Sequence, residues 1–190
     1  NHNEKLSILQ FNDIISPTIV SSSTEMLKNF IGEHKKVILK PIDGMAGNGI
    51  FMVTSSDQNM NVILETMISD TNQLVMAQKF IPEVKYGDKR IILIDGEPLP
   101  YALARIPQNN EIRANLAKGG KGIIKKLSEN DMAIVAAIKP YLRKNNFRFV
   151  GIDVIGNYLT EINVTSPTGL VEIQNQAEFN FSKSIVDALS

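Results

Sequence analysis

The sequence predicts a mixed α+β protein whose strands pair in a largely antiparallel fashion. Short apolar runs bounded by Gly, Pro or Asp alternate with longer stretches in which apolar residues recur at helical spacing. Two pairs of runs, at residues 90–105 and 149–164, are joined by short turns that contain Gly, which is typical of antiparallel hairpins. The length of 190 residues allows one domain or two small ones, and we divide the chain into residues 1–82 and 83–190.

The first block alternates between strands and helices. A helix capped by Thr24 is predicted over residues 24–34, because its apolar residues share one helical face. A second helix is predicted to begin at Asp57, with apolar residues again on one face. Short apolar runs predict strands over residues 37–39, 50–53 and 74–78.

The second block begins with a hairpin and ends with a helix. Its predicted elements are strands over 90–94 and 100–105, a helix after residue 128, a hairpin over 149–164 and a closing helix over 181–189. Residues 106–122 are polar and lack periodicity, and a loop of this length is usually a lid or a disordered segment. Ser128 and Asp131 predict a capping box for a helix that Pro140 should kink or interrupt.

Composition excludes several classes of function. The chain carries 20 basic and 20 acidic residues, so no nucleic-acid partner is expected. No apolar run approaches the roughly 20 residues that span a bilayer, so no membrane partner is expected. The absence of cysteine excludes disulfides, thiolate metal sites and cysteine nucleophiles, and it fits a cytoplasmic location. His2 is expected at a frayed end and His34 in a Lys-flanked loop, so neither is assigned a role.

The hairpin at residues 149–164 contains two carboxylates and one amide in an otherwise apolar setting. Asp153 lies on its first strand, and Glu161 and Asn163 lie on its second. Polar oxygens that face one another in a buried sheet are unfavourable unless a cation or hydrogen bonds compensate them. Hard oxygen ligands at this density suit Mg²⁺, which usually also binds substrate phosphates. The alternative is that Asp153 and Glu161 are solvated residues of a half-exposed sheet.

The register of this hairpin is predicted from the alternation of side chains. A two-residue turn would place Asp153 opposite Thr160, with Glu161 and Asn163 on the other face. A three-residue loop would pair Asp153 with Leu159 and gather the three polar side chains on one face. Only this register also gathers the apolar residues of both strands on the opposite face. We therefore predict the three-residue loop, although the hairpin alone leaves both interpretations of its carboxylates open.

A glycine-rich turn at residues 42–49 follows the strand that ends at Lys40. Glycines permit positive φ and let backbone N–H groups approach phosphate oxygens, and a nearby Lys supplies a point charge for the same anion. The pattern is neither GxxxxGK[ST] nor a GxGxxG before a helix. Phosphate binding by the amides of this turn is therefore one interpretation, and a Gly-rich hairpin without a ligand is the other.

The segment from residue 105 to residue 126 has an excess of positive charge, with six cationic residues and one acidic residue. Arg90 and Arg105 are expected near strand ends, where they could converge, and paired guanidiniums suit carboxylate or acyl-phosphate oxygens. We therefore assign these two arginines to function. Lys125 and Lys126 are expected to be solvated surface residues.

Taken in order along the chain, these features resemble the ATP-grasp superfamily, and within it the chain closely resembles the bacterial glutathione synthetase family. The resemblance covers essentially the whole chain from Lys5 onward and is carried by the strings at residues 40–45, 76–78, 87–90, 95–98, 103–108, 111–117 and 159–168. It implies an ATP-grasp fold, in which a lid subdomain with the Gly-rich loop (1–82) and a subdomain with the metal and substrate site (83–190) hold ATP between them. The family also has an N-terminal substrate-binding domain without a counterpart here, so we expect the chain to be a fragment.

The resemblance also implies the site residues. Nucleotide-contacting positions would be Lys5, Lys40, Gly44, Met45, Ala46, Gly47, Gln78, Lys79, Phe80, Ile81, Asp88 and Asn163. The ligands of Mg²⁺, for which Mn²⁺ could substitute, would be Asp153, Glu161 and Asn163. Substrate-end positions would be Arg90, Arg105 and Ser166, and the catalytic residues would be Arg90, Arg105 and Arg113, the last in a mobile loop. Ala46 stands where the family often has Gly, and its methyl group would stiffen the loop.

The activity implied by the resemblance is ATP-dependent ligation of γ-glutamylcysteine and glycine through an acyl phosphate. The loop at about residues 106–121 would exclude water from this intermediate. The enzyme would be cytoplasmic and, when full length, would form a homo-oligomer. Two alternatives are another ATP-grasp carboxylate–amine ligase and a nucleotide-binding module that is inactive as a fragment.

Overall fold

The computed structural model describes residues 2–44, 48–69, 73–107, 121–177, 180–181 and 185–186. The chain forms two compact units. The first contains Ser16–Ile81, and the second contains His2–Ile15 together with Pro82–Ser190. The division expected from the sequence put residues 2–15 in the first block, which is wrong. Those residues belong to the second unit because Ile8 and Ile15 are buried in its core.

The first unit is a four-stranded antiparallel sheet with two helices. Its elements are β1 (Thr18–Ser21), α1 (Thr24–His34), β2 (Lys36–Pro41), β3 (Phe51–Thr54), α2 (Met60–Ile68) and β4 (Val75–Lys79). The strands lie in the order β1-β4-β2-β3. One face of the sheet and the two helices share an apolar core that includes Leu27, Ile31, Val37, Leu39, Leu64 and Ala77. Because side chains alternate along a strand, Lys40 and Gln78 lie on the opposite face.

Helix boundaries in the first unit follow local capping. Helix α1 has the predicted bounds, but its cap is Ser23 rather than Thr24, since the Ser23 Oγ accepts a backbone N–H at 3.3 Å. Helix α2 begins at Met60 rather than at Asp57. The Asp57 carboxylate accepts a backbone N–H two residues later at 2.9 Å, and this contact closes a turn before the helix. Strand β1 was not predicted.

The second unit is a five-stranded antiparallel sheet. Its regular elements are β5 (Asp88–Ile94), β6 (Glu97–Ile106), β7 (Lys121–Lys126), α3 (Glu129–Lys144), β8 (Phe149–Ile155), β9 (Tyr158–Asn163) and α4 (Leu170–Ala177), with short 3₁₀ segments at Leu6–Gln10, Asn12–Ile14 and Pro82–Tyr86. The strand order is β7-β6-β5-β8-β9. Helix α3 covers one face through residues such as Ile134 and Ile138, and α4 covers part of the other face through Ile173. No helix in the described part of the chain is both long and apolar enough to cross a bilayer.

Helix α3 begins as the sequence predicts and is longer than expected. The capping box of Ser128 and Asp131 is confirmed. Pro140 was expected to kink or interrupt this helix; an interruption is wrong, because α3 continues through Pro140 to Lys144. Pro140 is exposed, so the carbonyl that loses its helical partner lies on the solvent side of the helix. Lys125 and Lys126 are exposed, as expected, but they belong to a strand, β7, that was not predicted.

The C-terminal region also differs from the prediction. Helix α4 was not predicted, although its buried Ile173 packs in the same cluster as Phe181. The helix expected over residues 181–189 lies largely outside the described residues. Within the described part, the Ile185 backbone N–H donates to the Phe181 carbonyl at 3.1 Å, which is a helical contact.

Candidate functional site

The β8–β9 hairpin carries the residues predicted to bind a metal. Ile155 pairs with Tyr158, so the turn has two residues and the predicted three-residue loop is wrong. The register then shifts by one, and Asp153 pairs with Glu161 rather than with Leu159. Thr160 is the inserted residue of this β-bulge, and its hydroxyl donates to the Asp153 carbonyl at 3.1 Å.

The bulge gathers the polar side chains that a regular two-residue hairpin would have separated. Asp153 faces Glu161, and Asn163 lies two residues further along the same face of β9. Asn163 Nδ2 lies 3.5 Å from Asp153 Oδ2 and donates to the Gly151 carbonyl at 3.1 Å. Both contacts use Nδ2, so Oδ1 is the atom that Asn163 can offer to a cation. The shared face is therefore as predicted, but it arises from a bulge.

Arg90 binds Asp153 from the neighbouring strand. It lies directly opposite Asp153 in the β5–β8 pair. Its Nε and Nη2 atoms donate to the two carboxylate oxygens at 2.5 and 3.0 Å, which is the bidentate geometry favoured by Arg. Its Nη1 atom donates to the Thr168 carbonyl at 3.3 Å. Arg90 thus connects the candidate metal face to the segment after β9.

Arg105 joins two carboxylates. It lies opposite Asp88 in the β5–β6 pair, and its Nη2 atom is 2.6 Å from Asp88 Oδ2 and 3.0 Å from Asp153 Oδ1. Arg90, Arg105 and Asp153 are 6%, 4% and 4% exposed, so these ion pairs are shielded from water. A buried charge requires such partners. The convergence of Arg90 and Arg105 expected from the sequence is confirmed, but the groups on which they converge are carboxylates of the protein.

Burial and neighbouring charges shift the two aspartates in opposite directions. For Asp153, burial alone would raise the pKa, but Arg105 and Arg90 outweigh it and lower the pKa to about 2. For Asp88, burial is the largest effect and raises the pKa to about 6; Arg105 opposes this shift, while the Asp153 charge adds to it. One carboxylate is therefore held ionised, and the other is poised near neutral pH.

The charges of this cluster fit a cation. Three carboxylates, of Asp88, Asp153 and Glu161, interact with two guanidiniums, which leaves one negative charge in excess. Asp88 Oδ1 is buried and has no hydrogen-bond partner in the described part of the chain. No preformed group of three His, Cys, Asp or Glu side chains able to hold a metal occurs among the described residues. Carboxylate and amide oxygens are nevertheless the ligands that suit Mg²⁺.

In the first unit, the buried ammonium group of Lys40 is held by a series of hydrogen bonds. Lys40 is 9% exposed, and its Nζ donates to Gln78 Oε1 at 2.7 Å. Gln78 Nε2 in turn donates to the Thr18 hydroxyl at 3.1 Å. The two side chains meet because Lys40 pairs with Met76, which places Gln78 at a diagonal position on the same face. The positions of Lys40 and Gln78 are therefore coupled.

The segment from Gln78 to Ile81 was expected to contact the nucleotide. The Lys79 N–H donates to the Pro17 carbonyl at 2.9 Å, and the Phe80 N–H donates to the Lys36 carbonyl at 3.0 Å. These two donors are therefore engaged within the unit. Lys79 has an exposed side chain, whereas Ile81 is buried.

The other expected nucleotide and substrate positions are described only in part. A Cβ atom on Gly44 would lie 2.7 Å from Pro41 Cγ, so this close approach requires glycine. Lys5, in the second unit, is buried. Ser166 has a positive φ of 49°, a backbone conformation that favours glycine. Met45, Ala46, Gly47 and Arg113 lie outside the described residues.

The chain matches a known family over nearly its whole length. Residues 4–178 match the model of the ATP-grasp domain of prokaryotic glutathione synthetase. The chain belongs to this family. Its membership agrees with the resemblance inferred from the sequence strings.

Relatives in this family are substantially longer than the chain. The glutathione synthetase of Pseudomonas aeruginosa is 50% identical over 188 residues, which cover 99% of this chain and 59% of that protein. The glutathione synthetase of Coxiella burnetii is 51% identical over 184 residues, which cover 97% of this chain and 57% of that protein. The chain thus spans less than two thirds of the length of these family members.

Solved structures share the fold at lower identity. An ATP-grasp ligase of Chryseobacterium gregarium associated with RiPPs, in complex with ADP and a leader and core peptide, has a TM-score of 0.71 and 22% identity over 97% of this chain and 58% of that chain. The D-alanine–D-alanine ligase of Bacillus anthracis, in complex with ATP, has a TM-score of 0.61 and 16% identity over 97% of this chain and 65% of that chain. These likenesses confirm the predicted α+β ATP-grasp fold.

Sequence reasoning missed the bulge at Thr160 and the contacts of His2. The sequence did contain a signal for the bulge. Gly156–Asn157 favours a two-residue turn, but placing Asp153, Glu161 and Asn163 on one face requires one extra residue in the hairpin. An inserted residue satisfies both. His2 had no such signal. Instead of fraying, it lies against β9, with its Nε2 atom 3.2 Å from the Ile162 carbonyl.

Proposed function

We propose that the chain is the ATP-grasp part of a ligase that joins the carboxylate of γ-glutamylcysteine to the amine of glycine. Family membership and relatives named glutathione synthetase at about 50% identity support this proposal. The observation that carries it is the sheet face on which Asp153, Glu161 and Asn163 meet two buried arginines. This face combines oxygen ligands for a cation with fixed positive charge, and phosphoryl transfer requires both.

In the proposed reaction, a carboxylate oxygen of γ-glutamylcysteine attacks the γ-phosphorus of ATP, and the bond to ADP breaks. The glycine amine then attacks the acyl carbon and displaces phosphate, with loss of a proton from nitrogen. Such chemistry depends on positioning and charge neutralisation rather than on a nucleophile from the protein. The absence of cysteine from the sequence is therefore compatible with it.

The metal would be held by Asp153, Glu161 and Asn163. A bound Mg²⁺ would neutralise phosphate charge and orient the transferred group. The excess negative charge supports a cation at this face, as does the Asp88 oxygen that has no hydrogen-bond partner among the residues the structure describes. We propose Mn²⁺ as a substitute ion, since it accepts the same oxygen ligands.

We propose that Arg90 and Arg105 act first by holding Asp153, one of the proposed metal ligands. Their guanidiniums fix Asp153 in its ionised form, with the carboxylate held in one orientation. Their positive charge also acts on negative charge that develops nearby during transfer. Ser166 lies in the segment after β9, and we propose that it contacts a substrate at the end of the site where the substrates bind. Arg113 keeps its proposed place in the loop that excludes water.

On the nucleotide side, we propose that Lys5 and Lys40 contact phosphate oxygens. The contact with Gln78 holds the Lys40 ammonium in place before nucleotide binds. Asp88, the Gly44–Gly47 turn and the Gln78–Ile81 segment complete the proposed nucleotide contacts. Because the Lys79 and Phe80 N–H groups are engaged, a base would use other polar groups of this segment.

The test measures ADP release and product mass with the full-length protein. We expect ADP release to depend on Mg²⁺, γ-glutamylcysteine and glycine together, and the product to have the mass of glutathione. Replacement of glycine by alanine, and of γ-glutamylcysteine by γ-glutamylalanine, provides matched substrate controls. Faster turnover with a different acid–amine pair would assign the chain to another ATP-grasp ligase. For residues 1–190 alone, we expect weak Mg·ATP binding and little product.

A further inference from the structure

The outer edge of β9 is covered by the N-terminal segment of the chain. Strand β9 ends the sheet order β7-β6-β5-β8-β9, so its second edge has no strand partner among the described residues. The Ile162 N–H donates to the Glu4 carbonyl at 3.1 Å. The Ile162 carbonyl lies 3.2 Å from His2 Nε2. One residue of β9 is therefore bound through both of its backbone polar groups from outside the sheet.

His2 makes polar contacts through both of its ring nitrogens. A carbonyl oxygen only accepts hydrogen bonds, so Nε2 carries the proton that is donated to Ile162. The other ring nitrogen, Nδ1, lies 3.2 Å from the Tyr141 hydroxyl. The Ser7 hydroxyl, 3.0 Å from Nδ1, donates to the Asn3 carbonyl at 2.7 Å. These contacts give the imidazole one orientation.

Packing holds the same ring in place. The His2 ring meets the Phe147 ring edge to face, with centroids 4.7 Å apart. The Asn3 carboxamide accepts the backbone N–H groups of Lys5 and Leu6, each at 3.0 Å, and thereby starts the following 3₁₀ segment. Ile8 in that segment is fully buried in the core of the unit. The segment is therefore anchored on both sides of its contact with β9.

The position of this contact relates it to the candidate metal ligands. The Ile162 N–H belongs to the peptide group that follows Glu161, and the Ile162 carbonyl belongs to the peptide group that precedes Asn163. Binding both groups fixes the two peptide planes that connect the Glu161 and Asn163 Cα atoms. The separation of their side-chain oxygens depends on these planes.

We propose that His2 is a positioning residue for the metal site, acting with the Glu4 carbonyl as an external clamp on β9. The proposal rests on the metal role of Glu161 and Asn163 stated under the proposed function. Without the clamp, the edge strand carrying both residues would be held only by β8, and its peptide planes would fluctuate more. Metal affinity would fall because the oxygens would spend less time in the binding geometry.

The test compares His2→Ala with a rescue variant, His2→Gln, in the full-length protein. The Gln side chain retains an N–H donor for the Ile162 carbonyl. His34→Ala removes the other imidazole of the chain, which packs on Phe30 in the first unit, and serves as the matched control. The first measurement is amide hydrogen exchange at Ile162 in ligand-free protein. The Ile162 N–H donates to the Glu4 carbonyl, and we expect it to exchange about tenfold faster in His2→Ala, because loss of the His2 contact with the Ile162 carbonyl makes local opening easier. We expect wild-type rates in the control and partial recovery in His2→Gln.

The second measurement is Mn²⁺ affinity in the presence of ADP, read from the EPR signal of free Mn²⁺ rather than from turnover. We expect affinity to weaken about tenfold in His2→Ala and to recover in His2→Gln, with ADP affinity unchanged in the absence of metal. Unchanged exchange at Ile162 would overturn the clamp, and unchanged Mn²⁺ affinity would overturn its positioning role.

Failure of the proposed function gives a different result. A wild-type protein that makes no glutathione, yet binds Mn²⁺ in a manner that depends on His2, would remove the substrate assignment and leave the positioning role supported. A wild-type protein that binds no Mn²⁺ with ADP would overturn both the metal assignment and this inference.

Discussion

Replacing Asp88 by Asn tests whether burial or ion pairing dominates the charged cluster. The Asp88 side chain is 15% exposed. One of its oxygens accepts from Arg105 at 2.6 Å, and the other, Oδ1, is buried and has no hydrogen-bond partner in the described part of the chain. Burial raises the pKa from 3.8 to about 6 despite Arg105. The folded state therefore favours the protonated, neutral form, which Asn imitates without ionising.

The magnitude follows from the pKa shift. Raising the pKa of an acid on folding gives stability that is fully present below pH 3.8 and is lost as pH rises through about 6. A shift of this size corresponds to about 3 kcal/mol. Wild-type protein should lose this amount relative to Asp88→Asn between pH 4 and pH 8. Asp153 titrates below this window, because its arginine partners hold its pKa at about 2.

The assay is urea unfolding of ligand-free protein at several pH values, with the free energy of unfolding compared between wild type and Asp88→Asn. Taking the difference between the two proteins cancels titrations that they share. Asp13→Asn makes the same chemical change at an exposed residue and should alter the free energy by less than about 0.5 kcal/mol at every pH. If Asp88→Asn instead becomes less stable than wild type as pH rises, Arg105 stabilises the Asp88 charge more than burial opposes it, and the reasoning fails.

Three further predictions concern the same sheet face. Glu161→Gln should abolish turnover and weaken Mn²⁺ binding while leaving urea unfolding nearly unchanged; normal activity in this variant would remove Glu161 from the metal site. Arg105→Ala should destabilise the fold by about 3–5 kcal/mol, because it leaves the buried Asp153 carboxylate and the largely buried Asp88 carboxylate without this partner, and a variant as stable as wild type would contradict the ion-pair geometry. Gly151→Ala should cost about 1–3 kcal/mol in urea unfolding, since its Cβ would lie 2.7 Å from Pro167 Cβ; an unaffected midpoint would show that the segment after β9 yields easily.

Local features were predictable because neighbouring residues encode them. Helix α1 has its predicted bounds since its apolar spacing and polar flanks lie within a few residues of one another. The capping box of Ser128 and Asp131 is equally local. The prediction that Asp153, Glu161 and Asn163 share one face also came from period-two alternation, although the bulge that achieves it was not foreseen.

Contacts between distant residues depend on strand order and packing, which no local pattern specifies. Arg90 meets Asp153 only because β5 lies between β6 and β8, and Arg105 reaches the same carboxylate from β6. The sequence identified both arginines as functional candidates but not as partners of Asp153, the proposed metal ligand.

The amino-acid sequence by itself determined the fold family, the helix signals and the oxygen-rich character of the C-terminal hairpin, because these reside in residue type and short spacing. Tertiary structure alone decided that Asp153 is shared by two guanidiniums, that Asp88 titrates near neutral pH and that residues 2–15 join the second unit. The physical reason is that burial and charge pairing depend on which surfaces the folded chain brings together. Asp88 and Asp153 have the same intrinsic chemistry. Their pKa values differ because the folded protein shields both from water but places more compensating positive charge beside Asp153.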